Sequence, residues 1–268
     1  MDRTDIAYLI NTTPKYFFLL PFHLTMLKRY AGNMRWPVYL ATEAPVTHPI
    51  LQHILEHFPF VTILPLKETQ EGFLESRAAA TAALPPSIQY VFPIQEDFIL
   101  ERIPFWNLIE QATYILDTND SVQSLRFMPC PGPTGAQTFG DTLWRILSYP
   151  EDGYLFTFQA TLWRREAYQD YMNSLLQEIN KAFGHPLTPQ QKVEIQIRMN
   201  VAEVAFGQKI LSEQAGLHLA WPREGAQPNA VYLSPWPYRP TAVVRGKLED
   251  WAEELAEREG VSLAPSMR

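Results

Sequence analysis

One cysteine, Cys130, in 268 residues excludes an internal disulfide and fits a reducing compartment. No apolar run is long enough to span a bilayer. The Tyr16–Phe22 stretch is seven residues against the roughly 20 a helix needs, and no basic segment of signal-peptide type precedes it. A soluble cytoplasmic protein is therefore the expectation. Long basic runs are also missing, and the net charge is -7. Nucleic acid is excluded as the main partner, because neutralising phosphates takes clustered Lys and Arg. There is no G-x-x-x-x-G-K-[ST] loop and no G-x-S-x-G elbow. After the first strand-like run, Asn11-Thr12-Thr13-Pro14 stands where a G-x-G-x-x-G turn would bind a dinucleotide.

What is present is an ordinary apolar fraction of 46%, enough for a sizeable core, with 23 prolines and 13% aromatics. That balance suggests a loop-rich chain with ring-lined pockets. The first half alternates two hydrophobic periods. Strands are expected over Asp5–Ile10, Trp36–Ala41, Val61–Leu64, Ile88–Ile94 and Ser121–Met128. Helices are expected over Pro14–Tyr30, His48–His57, Gly72–Leu84 and Ile103–Leu116. This order predicts an α/β fold with a mainly parallel sheet and helices on both faces. After Met128 the rhythm breaks at Pro129–Gly135. A further strand is expected at Tyr154–Thr161 and helices at Arg165–Phe183, Gln190–Ser212 and Lys247–Glu259, the last stopped by Gly260. Neither repeats nor a linker divide the chain, so a single domain spans 1–268.

The feature richest in chemistry is Tyr90-Val91-Phe92-Pro93-Ile94-Gln95-Glu96-Asp97. An apolar strand ends in two adjacent carboxylates, at the strand end where open α/β sheets bind ligands. Such a pair supplies oxygen donors for a divalent cation, which can in turn hold a diphosphate. Its bland counterpart is a solvated turn. Two other motifs carry less. His53-Ile54-Leu55-Glu56-His57 matches H-x-x-E-H, but Pro59 follows at once and no third ligand is near in sequence. Cys130 lies in a proline-rich loop with no sign of an activating histidine.

Several segments in order resemble a nucleotide-sugar-dependent glycosyltransferase of the GT-A fold: Asp5–Thr12, Tyr39–Glu43, Gly72–Arg77, Gln95–Asp97, Phe156–Arg165 and Pro237–Lys247. Gln95-Glu96-Asp97 stands at the family's D-x-D position, with glutamine replacing the first aspartate. The resemblance implies a nucleotide-sugar-binding half over 1–128 and, over 129–268, an acceptor-binding half with a carboxyl-terminal helix. It implies transfer of a sugar from a nucleoside-diphosphate sugar to the hydroxyl of a glycan or small-molecule acceptor, as in surface glycan assembly. Asn11, Thr12, Thr42, Glu43 and Arg77 would meet the nucleotide. Asp97, with Glu96, would hold Mn2+ or Mg2+, and Arg245 and Lys247 around Gly246 would neutralise the diphosphate. An inverting reaction needs a general base on the acceptor hydroxyl. Of Glu194 and Glu203, Glu203 has the more apolar neighbours, which would raise its pKa toward neutrality. Trp163, Trp221, Trp236 and Tyr238 are candidates for stacking on sugar faces. Two alternatives stay open. One is a non-catalytic nucleotide- or sugar-binding module of the same fold. The other is a sugar nucleotidyltransferase, disfavoured because no Gly-rich basic loop follows the first strand.

Overall fold

A computed structural model describes residues 3–67, 73–127, 137–140, 143–147, 156–183, 188, 190–191, 216–221, 234–239, 241–244, 246–261 and 263. The amino-terminal elements are β1 (Ile6–Asn11), a 3-10 helix (Pro14–Leu19), α1 (Leu20–Ala31), β2 (Val38–Thr42), α2 (Pro49–His57), β3 (Val61–Pro65) and α3 (Phe73–Ala83). They are followed by β4 (Tyr90–Gln95), β5 (Ile99–Leu100), α4 (Trp106–Thr118), β6 (Val122–Arg126), β7 (Thr138–Phe139) and β8 (Leu143–Arg145). The rest comprises β9 (Thr161–Arg164), α5 (Arg165–Phe183), β10 (Leu217–Ala220), β11 (Tyr238–Arg239), β12 (Val243–Val244), β13 (Lys247–Leu248) and α6 (Asp250–Arg258).

One sheet joins the two halves of the chain, in the order β3-β2-β1-β4-β9-β6-β10-β8-β7. Strands β1, β2, β3 and β4 pair in parallel, and β6 and β10 run the same way. Strand β9 lies antiparallel between β4 and β6, and β8 is antiparallel to β10. The result is a mixed α/β fold around a large, mainly parallel sheet, as the alternation of periods predicts.

Strict alternation along β1 shows why the sheet is covered on both sides. Ile6, Tyr8 and Ile10 enter one core with apolar residues of α1, α2 and α4; Ala7 and Leu9 enter a second core under α3 and α5. A third core packs Phe22 and Met26 of α1 against Ile99, Ala242 and the Ala252, Leu255 and Ala256 face of α6. The carboxyl-terminal helix is also tied to α1 by charge: Arg29 pairs with Glu259, and the Tyr30 hydroxyl donates to Glu259 Oε1 at 3.0 Å.

Several expected boundaries shift for local reasons. Pro21, at the start of α1, lacks the N–H to carry an α-helical ladder back to Pro14, so the preceding turn winds as a 3-10 helix. Helix α4 begins at Trp106 instead of Ile103, because Pro104 disfavours helical geometry in the residue before it. The strand expected over Tyr154–Thr161 is instead β9, Thr161–Arg164. Lys247 and Leu248 form β13 and leave α6 to start at Asp250. The helix expected over Gln190–Ser212 falls outside the described residues beyond Gln191, as does Cys130.

Candidate functional site

The register decides which residues meet. Asn11 is level with Gln95 across β1 and β4, so Thr12 and Glu96 follow side by side at the carboxyl edge of the sheet. Asn11 Nδ2 donates to the Ser76 carbonyl at 3.4 Å, which draws α3 to the same edge and places Arg77 there. Arg77 is 6% exposed, with its guanidinium carbon 3.2 Å from the Phe73 ring centroid and 5.2 Å from that of Phe158. With Gln95, Thr157 and Tyr168 it lines a small pocket beside β4.

The two carboxylates differ from solvated turn residues. Glu96 is 7% exposed, and burial first, then the neighbouring Asp97 charge, pushes its pKa from 4.5 up to about 8. Arg77 and the Thr12 hydroxyl oppose that rise. The same hydroxyl is buried and makes no well-formed hydrogen bond among the described residues, so it contributes proximity more than a bond. Asp97 is less enclosed. Burial raises it from 3.8 to about 6, against hydrogen bonding from the Val243 backbone and the charge of Arg77.

The turn is gripped from three directions. Phe98 N donates to the Gln95 carbonyl at 3.1 Å. From α1, His23 Nδ1 lies 3.1 Å from the Glu96 carbonyl while its Nε2 lies 2.8 Å from the Tyr8 hydroxyl. From the carboxyl-terminal segment, Ala242 N donates to the Asp97 carbonyl at 3.0 Å. Thr241 has φ 65, a left-handed conformation rare for a β-branched residue, immediately before Ala242. The β12–β13 hairpin then turns at Gly246, φ 78, and presents Lys247 to solvent.

The structure thus gathers Thr12, Arg77, Glu96 and Asp97 at one edge and attaches the Lys247 hairpin to their turn. Arg245, Glu194 and Glu203 lie outside the described residues. Thr42 does not open toward a ligand: it is fully buried, and its Oγ1 accepts from Ala44 N at 3.2 Å, stabilising its own turn. Glu43 is half-buried at the end of β2, the far side of β1 from β4. Asn11 acts as a link between β1 and α3.

The expected aromatic stacking platforms are core residues. Trp163, Trp221, Trp236 and Tyr238 are all buried, and the Tyr238 hydroxyl donates to Gln159 Oε1 at 2.6 Å. Trp221, Trp236 and Tyr238 pack in the first core, and Trp163 packs in the second, where its edge reaches the wall of the pocket beside Arg77. His53 and His57 stack at 4.0 Å on the exposed side of α2, and among the described residues no group of three or more metal-ligating side chains of His, Cys, Asp or Glu forms. His23 and Tyr8 escaped the sequence reading. The only signal was a lone histidine within the apolar Leu20-Pro21-Phe22-His23-Leu24 run. No helix among the described residues is long and apolar enough to cross a membrane.

No family model matches the chain, and no curated protein matches it. Among solved structures it is similar to S. aureus TarS residues 1–349, at 12% identity and a TM-score of 0.44, over 87% of this chain and 63% of that one. The same TarS segment in complex with UDP gives 12% identity, the same coverages and a TM-score of 0.41. The chain therefore spans under two thirds of the TarS segment. It is also similar to 4-diphosphocytidyl-2C-methyl-D-erythritolsynthase from Anaerococcus prevotii DSM 20548, at 11% identity and a TM-score of 0.42, over 86% and 96% of the two chains.

Proposed function

We propose that the protein is a glycosyltransferase that uses a nucleoside-diphosphate sugar, with the donor bound at the carboxyl edge of β1 and β4. The observation that carries this reading is the direct attachment of the Lys247 hairpin to the Glu96–Asp97 turn, through Ala242 N and the Asp97 carbonyl. Carboxylates on one turn, with a cation-bearing hairpin bonded to it, suit a ligand made of phosphates with a cation between them.

Two adjacent carboxylates are the donor set a Mg2+ or Mn2+ ion takes when substrate phosphates complete its shell, so the residues fit that ion. When bound, it would supply Lewis-acid stabilisation of the departing diphosphate. Asp97, the more accessible and more acidic of the pair, is the principal ligand. Glu96 carries a proton until about pH 8 unless a cation displaces it, so it serves as second ligand or as a donor to a sugar hydroxyl. Arg77 supplies fixed positive charge beneath the site, held by its two aromatic neighbours. Lys247, and Arg245 on the other side of Gly246 in sequence, neutralise the outer face of the diphosphate. Glu203 remains the proposed base for the acceptor hydroxyl, with sugar and acceptor bound by the 129–268 half.

A thermal-shift panel of nucleoside diphosphates and nucleotide sugars, each with and without Mn2+, tests the reading. A stabilisation specific to one base and enhanced by Mn2+ is expected. No shift with any diphosphate refutes it.

A further inference from the structure

The carbonyls of the carboxylate turn show an unusual division of partners. Gln95 O is taken within the turn by Phe98 N, Glu96 O by His23 of α1, and Asp97 O by Ala242 of the carboxyl-terminal segment. Both peptide planes that aim the carboxylates are therefore fixed from outside the turn, by elements distant in sequence.

The chemistry of the His23 contact sets its direction. A carbonyl only accepts, so Nδ1 must carry the proton. The ring is buried, and with the proton on Nδ1 its Nε2 faces the Tyr8 hydroxyl as an acceptor, so the hydroxyl donates to it. Tyr8 is itself buried in β1, with Phe92 and Trp236 rings at 5.8 and 5.6 Å. Its hydroxyl thus selects one tautomer of His23, the one able to hold Glu96. A leucine at position 23 would fill an apolar core at no desolvation cost. The imidazole is tolerated because both its nitrogens are bonded, and one bond ends on the backbone of a proposed ligand.

We propose that His23, locked as its Nδ1–H tautomer by Tyr8, is a positioning residue that fixes the direction of the Glu96 and Asp97 carboxylates. The effect on ligand affinity rests on the reading of that turn as the cation–diphosphate site; the tautomer and the shape of the turn do not.

Three variants separate the parts. Tyr8→Phe removes the tautomer lock, His23→Leu removes the donor, and His23→Asn puts an amide N–H near the Nδ1 position. The full chain is measured by 15N NMR of its histidine rings, by amide exchange at Phe98 and by titration with Mn2+ alone. We expect the Nδ1–H tautomer in the unmodified chain and a mixture in Tyr8→Phe. His23→Leu should lose about tenfold or more in Mn2+ affinity and exchange Phe98 faster, with His23→Asn recovering most of both. If His23→Leu does not fold, Tyr8→Phe decides by the same two readouts. An Nε2–H tautomer in the unmodified chain overturns the proposal. So does a folded His23→Leu that is destabilised yet binds Mn2+ as tightly as the unmodified chain. If the unmodified chain binds neither Mn2+ nor any nucleoside diphosphate, the proposed function fails, and Phe98 exchange alone decides the positioning role. Faster exchange restored by asparagine sustains it, and unchanged exchange overturns it.

Discussion

Glu96→Gln should make the chain more stable, and increasingly so as the pH rises from 6.5 to 8. The folded chain keeps a proton on Glu96 to about pH 8, whereas the unfolded chain loses it near 4.5. Between these values the folded state binds more protons than the unfolded one, so stability falls with rising pH and levels off above 8. Other buried groups confine the clean window. His23 and His218 are lowered by burial from 6.5 to about 4, so their contribution is present above 6.5 and lost as the pH falls toward 4. Asp97, raised from 3.8 to about 6, has spent its effect by pH 6.5. Among the described residues the fall from 6.5 to 8 belongs to Glu96 and amounts to about 1.5 kcal/mol, since each pH unit in this regime is worth about 1.4 kcal/mol and the slope fades near the pKa. At roughly 2–4 °C per kcal/mol for a chain of this size, the Tm gap between Glu96→Gln and the unmodified protein should widen by about 3–6 °C. Calorimetric scans at four pH values in metal-free buffer measure it. Parallel Tm curves for the two proteins would show that Glu96 ionises normally and would refute the buried-carboxyl argument. Adding Mn2+ at pH 8 should then raise the Tm of the unmodified chain by more than that of Glu96→Gln, which keeps Asp97 as a ligand.

Asp97→Asn should keep the Tm within about 2 °C, because the amide can still accept from Val243 N, yet lose at least tenfold in Mn2+-dependent nucleotide affinity by calorimetric titration. Lys247→Ala should weaken binding of a nucleoside diphosphate about three- to tenfold and leave the matching nucleoside unaffected; equal losses in titration would place Lys247 outside the phosphate contact. Thr42→Val should cost about 1 kcal/mol in urea unfolding through loss of the Ala44 N acceptor, with nucleotide affinity unchanged. Ala242→Pro deletes the N–H that holds the Asp97 carbonyl and should destabilise the chain while abolishing Mn2+ binding; intact binding would separate the hairpin from the turn.

The sequence by itself determined the parallel part of the sheet. The alternating residues of β1 and the apolar runs of β2 and β4 can be buried only between two helical layers, and the helices between them impose the crossovers. It also placed Glu96 and Asp97 at a strand end, because an apolar period stops there abruptly. Local pattern could not place β9, since its position between β4 and β6 is set by pairing with strands that precede it by tens of residues. The same limit turned four aromatic residues from candidate sugar platforms into core, because composition says nothing about which side of a strand is sealed by a later segment. Only the tertiary structure brought Arg77 beneath the carboxylates, hung the Lys247 hairpin on the Asp97 carbonyl and set His23 under Glu96. Those contacts join residues far apart in the chain, and each depends on burial, which raises the energy of a lone charge or an unbonded nitrogen until a partner from another element is in place.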